Sequence, residues 1–239
     1  MMPSFAEIWA YLTISPILWV TVTLLAYQAA YAIYRLSGAN PIANPILISV
    51  TFIVSLLLFT GTPYRTYLDG AELVNFLIGP AIVAMAVPLY AHLARMKTML
   101  VPLTIALLIG SLTAISSAVA IGWLSGGSNE ILLALAPKSA TMPIAMGIVE
   151  KLGGFSSLTS VTVTVTGIAG AIMSRGLLNL MRIDDDAIHG FALGITAHGI
   201  GTARALQMSE SAGAFAALGM GLNGVATSVL LPLMVHLTV

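Results

Sequence analysis

Cysteine is absent from this chain of 239 residues, which excludes disulfides, thiolate-bound metal and thiol catalysis. Charge is the second scarcity. Asp, Glu, Lys and Arg make up 8% of the residues, against about 25% in ordinary soluble domains. The nine basic and nine acidic side chains balance, so there is no basic face for a nucleic acid. Met1 to Glu7 hold an acid and no basic run, unlike the start of a cleavable signal, so insertion is expected through the first spanning helix. Also missing are His-Glu-x-x-His, Gly-x-Ser-x-Gly and paired aspartates within an apolar run. Without them no enzyme activity, metal or other cofactor is expected.

What the chain has instead is apolar length. Hydrophobic residues make up 58% of it, and seven windows hold no charged residue: 8–34, 36–64, 73–94, 98–129, 152–174, 187–203 and 211–239. Six of the seven exceed the roughly 20 residues that carry a helix across a bilayer core. The seventh, 187–203, reaches that length if Arg204 is tolerated near a helix end or a cavity. The fold class expected is an all-α polytopic membrane protein with seven or eight transmembrane segments. It would be a single integral domain over residues 1–239, in which 1–61 form peripheral scaffold helices and 62–239 a core with discontinuous helices. Residues 5–13 suggest a short interfacial helix, with Trp9 and Tyr11 at headgroup depth. The alternating Val and Thr of Val161 to Thr166 lie inside a spanning window. They are expected as helix, with hydroxyls bonded to carbonyls one turn back.

Two stretches break the apolar pattern. Ala136-Pro137-Lys138-Ser139-Ala140-Thr141-Met142-Pro143 puts a lysine, two hydroxyls and two prolines inside a segment otherwise fit for the membrane. Pro143 lacks an N–H and its ring meets the carbonyl four residues back, and Pro137 biases Ala136 away from helix. An ammonium and loosened backbone at membrane depth survive where they are buried in protein or line a wet cavity, which is how transporters hold solutes. Lys138 therefore reads as the cation for an anionic solute; the bland alternative is a lysine snorkelling to the interface. Ser139 and Thr141 are either solute ligands or hydroxyls bonded to their own backbone.

The second stretch, Gly194-Ile-Thr-Ala-His198-Gly199-Ile-Gly201-Thr202, is glycine-rich and polar. His198 is a donor to solute or a titrating group, or else a packed neutral histidine satisfied by a carbonyl. Gly199 and Gly201 would let backbone N–H groups approach a ligand, and a half-helix starting near Gly201 would aim its positive end at it. Arg204 is a second anion contact or an end-of-helix anchor. Asn223, within Gly219-Met-Gly221-Leu-Asn-Gly224, is an interhelical hydrogen-bonding group, and those glycines read as helix packing. Asp184 to Asp186 with His189 read as a solvated helix cap rather than a metal cluster. Gly79-Pro80 and Pro88 predict a kinked or discontinuous third segment.

Orientation follows the basic residues. If every segment spans, Arg35, Arg95 and Lys97 share a side, with Arg175 and Arg182 opposite. If residues 130–151 dip in and return, all five face the cytoplasm. The second to fourth and the last three spans then form triplets of opposite topology, broken at Gly79-Pro80 and at His198-Gly199, a transporter-like inverted repeat.

These motifs resemble the LrgB/CidB family: Gly79-Pro-Ala-Ile-Val-Ala-Met-Ala-Val-Pro-Leu-Tyr90, Pro137-Lys-Ser-Ala-Thr-Met-Pro-Ile-Ala145, and Gly194 to Ala203 with Gly219 to Gly224, in that order. The resemblance covers nearly the whole chain from about Pro45. It implies two things. Bacterial members are described as antiholin-like or holin-like modulators of murein hydrolases and autolysis, acting with a small LrgA/CidA-type membrane partner. Related proteins, including a plastid glycolate/glycerate transporter, carry small monocarboxylates such as glycolate, glycerate or pyruvate. The function expected is transport of small monocarboxylates in the bacterial cytoplasmic membrane. Lys138, Ser139, Thr141, His198, Gly199, Gly201, Thr202 and Asn223 are the expected substrate-binding residues. An LrgA/CidA-type subunit and a second copy of the chain are the expected partners. The alternative is an antiholin/holin-like regulator of murein hydrolase activity.

Overall fold

The computed structural model describes residues 9, 11–38 and 40–238. Part of the interfacial helix expected over residues 5–13 lies outside them. Within that stretch Trp9 and residues 11–13 are helical. The chain folds as two units, Met1–Ala84 and Met85–Val239. Residues 62–84 thus group with the first helices rather than with the broken segments.

The first unit is built on α1 (Pro16–Leu36), α2 (Pro45–Thr60), α3 (Tyr64–Gly70) and α4 (Glu72–Ala84). Proline opens α1 and α2, where its missing N–H costs nothing, and the Asn44 side chain caps α2 by accepting from Ile46 and Leu47 N–H. Gly61 closes α2 at φ 65°, a left-handed cap that glycine reaches without strain. Trp19 is fully buried among Ala26, Ile53, Leu57 and Ala71, donates its indole N–H to Thr13 O at 2.9 Å, and meets the Tyr67 ring edge-on. Pro80 sits inside α4 without interrupting it. The expected break at Gly79-Pro80 is therefore displaced. The helix ends at Ala84, the residue four before Pro88, where the proline ring cannot coexist with a regular turn.

The second unit comprises α5 (Ala86–Ala91), α6 (Leu93–Thr98), α7 (Leu100–Leu124), α8 (Asn129–Leu135), α9 (Met142–Lys151), α10 (Ser156–Leu180), α11 (Asp186–Met208) and α12 (Glu210–Thr238). Residues 161–166 are helical, and Thr162 and Thr164 bond back to Thr159 O and Ser160 O. Asp185 caps α11 through Ala187 and Ile188 N–H.

Helices α8 and α9 form a hairpin, here hairpin A. A Cβ on Gly154, just past α9, would lie 3.1 Å from Leu133 Cβ and 3.5 Å from Glu130 O. The segment therefore leaves the unit beside the point where it came in. The Arg95–Asp185 ion pair, 2.6 Å, agrees. Arg95 precedes α7 and Asp185 follows α10, two helices of 25 residues each long enough to cross once; with their far ends brought together by the ion pair, hairpin A adds no net crossing.

Helix α11 is a second reversal, hairpin B. Its backbone leaves helical geometry at Ala197 (φ −120°, ψ 15°) and His198 (φ 40°, ψ −130°). A Cβ on Gly190 would strike Ala212 O, and one on Gly213 would strike Leu206, so residues 190 and 206 of the helix both pack against one site on α12. A straight helix would hold residues 190 and 206 about 24 Å apart. Gly201 lies against Leu193 O (2.5 Å from a Cβ), as folding back at His198 requires. Gly190, Gly194 and Gly219 let α11 and α12 backbones touch, the small-residue packing by which membrane helices associate.

Among the described residues, five helical stretches are long and apolar enough to cross a membrane: Pro16–Leu36, Glu72–Ala91, Leu100–Leu124, Ser156–Leu180 and Glu210–His236. The uncharged windows predict seven or eight. The difference lies in α2, apolar but 16 residues long, and in the two hairpins, whose short arms do not each make a crossing length. Large apolar side chains such as Leu58, Phe59, Ile109 and Leu124 are exposed, a surface suited to lipid rather than water.

Candidate functional site

The tip of hairpin A is the turn at Ala136 to Thr141, closed by Lys138 N–H to Leu135 O (3.1 Å) and Ala140 N–H to Pro137 O (2.9 Å). Pro143 falls near the start of α9, where a missing N–H costs nothing; it starts a helix rather than breaking one. Ala136, Pro137, Ser139 and Ala140 are buried, while Lys138 is partly exposed. Thr162 on α10 reaches across at 3.3 Å to Ala134 O, one of the carbonyls that the end of α8 leaves unpaired.

The tip of hairpin B is held by its histidine. His198 Nε2–H donates to Val163 O at 2.9 Å, in a slot that exists because residue 167 has no side chain: a Cβ there would lie 2.8 Å from the imidazole. A Cβ on the next small residue of that face, Gly170, would lie 2.8 Å from Ala197 Cβ. Thr202 donates its hydroxyl to His198 O at 2.8 Å and contacts Met220 Sδ.

Asn223 joins the two tips. Its amide donates to Ser139 O (3.0 Å) on hairpin A and to Ile195 O (3.1 Å) on hairpin B, while its carbonyl accepts from Ser111 Oγ (2.7 Å) on α7. The side chain is 1% exposed. Both donors are consumed on backbone carbonyls that the interruptions would otherwise leave bare in an apolar interior.

Beside this junction lies a cavity of about 590 Å³, walled by Gly110, Thr113 and Ser117 of α7, Lys138 and Ser139 of hairpin A, Thr166 and Gly170 of α10, and Thr196 next to the hairpin B tip. Lys138 is the one ionisable residue among the described residues of its wall. Among the described residues its ammonium has no carboxylate within ion-pair distance. Thr196 and Ser117 bond their own helix, at 2.7 and 3.4 Å. An unopposed ammonium bordered by hydroxyls can accept one small anion and orient a second polar group on it.

Of the residues singled out in the sequence, Lys138 and Ser139 line this cavity. His198, Thr202 and Asn223 are buried in the contacts that shape the tips. Gly199 lies near Met220, Gly201 inside hairpin B, and Thr141 at the N-cap of α9 without a capping bond. Arg204 is buried, with an NH1 bond to Gln207 at 3.3 Å. Sequence reasoning did not single out Thr166, Thr196 or the Gly167 slot. Their signal was the spacing of glycines 167 and 170 on α10, which looks like ordinary small-residue packing until a partner is known.

A multi-pass helical membrane protein in which two folded-back hairpins meet through one asparagine is the class these features define. Comparison with known proteins agrees. The LrgB-like family model matches residues 23–237, and the chain belongs to that family. It is 33% identical to the uncharacterized protein YwbG of Bacillus subtilis over 207 residues, covering 86% of this chain and 91% of that protein. It is 29% identical to holin-like protein CidB of Staphylococcus aureus over 224 residues, covering 94% and 97%. No solved structure matches the chain.

Proposed function

We propose that the protein carries small monocarboxylates of the glycolate, glycerate or pyruvate kind across the bacterial cytoplasmic membrane. Lys138 would receive the carboxylate and the hydroxyls of Ser139 and Thr166 the hydroxyl or oxo group, while Thr196, whose proton goes to Ala192 O, would accept from a substrate hydroxyl. The observation that supports this is Lys138 at the tip of hairpin A, which has no carboxylate within ion-pair distance among the described residues and borders a cavity whose wall also holds Ser139, Thr166 and Thr196. An ammonium with no counter-charge is costly in low dielectric, and a bound anion offsets that cost. On this reading Thr141, His198, Gly199, Gly201, Thr202 and Asn223 hold the two tips in register. Each hairpin with its following helix, α8–α9 with α10 and α11 with α12, would then be one half of an inverted repeat entering from opposite faces. A small membrane protein of the LrgA/CidA type and a second copy of the chain are the partners proposed.

Uptake of labelled glycolate or pyruvate into proteoliposomes tests the reading. Saturable uptake is expected, and Lys138→Gln should weaken apparent affinity by about 10- to 100-fold, the worth of one charge-assisted hydrogen bond. Absence of saturable uptake, with or without the partner subunit, refutes it. In a second reading the protein is holin-like, as the name of the S. aureus relative has it, and regulates murein hydrolases and autolysis. That reading predicts leakage of a large dye, indifferent to Lys138→Gln.

A further inference from the structure

Three cavities of the second unit follow one another along a single face of α7. The inner one, about 370 Å³, is bordered by Leu103 and Ala106 and ends at Gly110. The middle one, about 590 Å³, takes Gly110, Ala114 and Ser117. The outer one, about 490 Å³, takes Ile121 and Ser125 and opens at the Ser125 to Gly127 turn. These α7 positions are three or four residues apart throughout, so they form one stripe on the helix. From 103 to 125 the stripe rises about 33 Å, close to the roughly 30 Å of a bilayer core. Neighbouring cavities also share walls. Gly110 and Thr196 border the inner and middle ones, and Lys138 borders the middle and outer ones.

The three differ in lining. The outer and middle cavities carry Lys138 and hydroxyls, while the inner one is lined by apolar side chains such as Leu103, Phe191 and Ile195, with Thr196 at its border. The change falls where Ile195 crosses α7: a Cβ on Gly110 would lie 3.3 Å from Ile195 Cγ2. Arg95 and Lys97 precede the inner end of the stripe, so that end faces the cytoplasm by the positive-inside rule.

We infer that the α7 face is the path of a small anion across the membrane. It is open and wet from the external Ser125–Gly127 turn to Lys138 and the middle cavity, and closed beyond it by Ile195 seated on Gly110. Lys138 serves both wet stations, first drawing the anion in from the turn and then holding it among the hydroxyls. Ile195 is the inner gate, and dewetting of the apolar inner cavity completes the barrier. The identity of the cargo rests on the carrier reading above; the existence of the path does not.

Because the chain has no cysteine, single cysteines can be placed directly and labelled from outside, in cells or oriented proteoliposomes. The probes are an anionic sulfonatoethyl methanethiosulfonate and its cationic trimethylammonium counterpart. Ser125→Cys and Ala114→Cys should label, while Ala106→Cys and the opposite-face Leu112→Cys should not. Lys138→Gln should lower the anionic-to-cationic rate ratio at position 114 by about fivefold or more, as removing one unit charge from the wall of the same cavity would even at the dielectric of water. Ile195→Ala should extend labelling to position 106. Ser117→Cys repeats the middle-cavity measurement should Ala114→Cys misfold. The inference is overturned if neither 114 nor 117 labels, or if they label no faster than 112, since lipid would then fill these clefts. Labelling at 106 as fast as at 114 with Ile195 intact also overturns it, by removing the gate. Loss of uptake with this labelling pattern intact would instead sink the carrier reading alone.

Discussion

His198 offers a prediction whose sign runs against the usual rule. Its backbone sits at φ 40°, ψ −130°, a region that costs a non-glycine residue about 1–3 kcal/mol. The imidazole offsets this through its bond to Val163 O in the Gly167 slot. His198→Ala and His198→Gly both lose that bond and the packing of the ring. The alanine variant keeps the strain, whereas the glycine variant sheds it and gives back about 0.5–1 kcal/mol through the greater freedom of its unfolded chain. The glycine variant should therefore be the more stable by about 0.5–2 kcal/mol, where a helix interior would favour alanine by about 1 kcal/mol. For a chain of this size the difference corresponds to a Tm gap of roughly 1–8 °C. Thermal unfolding of the purified variants in one detergent would measure it. Gly167→Ala supplies the cross-check, since its Cβ would lie 2.8 Å from the ring. It should destabilise the parent chain and cost clearly less beside His198→Gly, where only the mobile end of the Ile200 side chain, 2.9 Å from that Cβ, is left to give way. An alanine variant as stable as the glycine one, or an equal Gly167→Ala cost in both backgrounds, would refute the account of a strained tip latched by its histidine.

Asn223→Ala strips three buried hydrogen bonds and should cost about 2–5 kcal/mol at roughly 0.6–1.7 each in a membrane protein. Ser111→Ala removes one and should cost about a third as much, so equal losses by denaturant titration would contradict the junction. Gly190→Ala puts a methyl onto Ala212 O and should destabilise strongly, whereas Gly221, with nothing within 4 Å of its Cβ, should gain up to about 1 kcal/mol from alanine; a paired Tm comparison decides this. Arg95→Gln should cost about 1 kcal/mol or less, because its ion pair is exposed. Asp185→Ala also loses the α11 cap and should cost about 0.5–2 kcal/mol more, a gap that persists in high salt.

The local signals in the sequence were composition and punctuation. Uncharged windows, prolines and clustered glycines placed the helices to within a few residues, and they placed both interruptions, at Pro137 to Thr141 and at His198. These depend on the chain's own backbone: a proline lacks its N–H and a glycine its Cβ wherever the rest of the fold lies. The misplacement at Gly79-Pro80 shows the limit, because Pro80 is accommodated within α4 and the interruption falls one turn before Pro88.

What an interruption does to the path of the chain is not local. A broken helix and a helical hairpin read alike in sequence. Only the packing of Gly154 against Glu130, and of Gly190 and Leu206 against neighbouring residues of α12, turned both breaks into reversals. The same holds for polar side chains. His198 and Asn223 were legible as buried polar groups, but their carbonyl partners lie 28 to 84 residues away in the chain, so their roles at the tips emerged from tertiary packing. Lys138 was conspicuous in the sequence for its charge; the hydroxyls of Thr166 and Thr196 joined it only because α10 and hairpin B close around it. Apolar length and backbone chemistry set where the helices run and where they fail, and the three-dimensional meeting of those failures decided which side chains share a cavity.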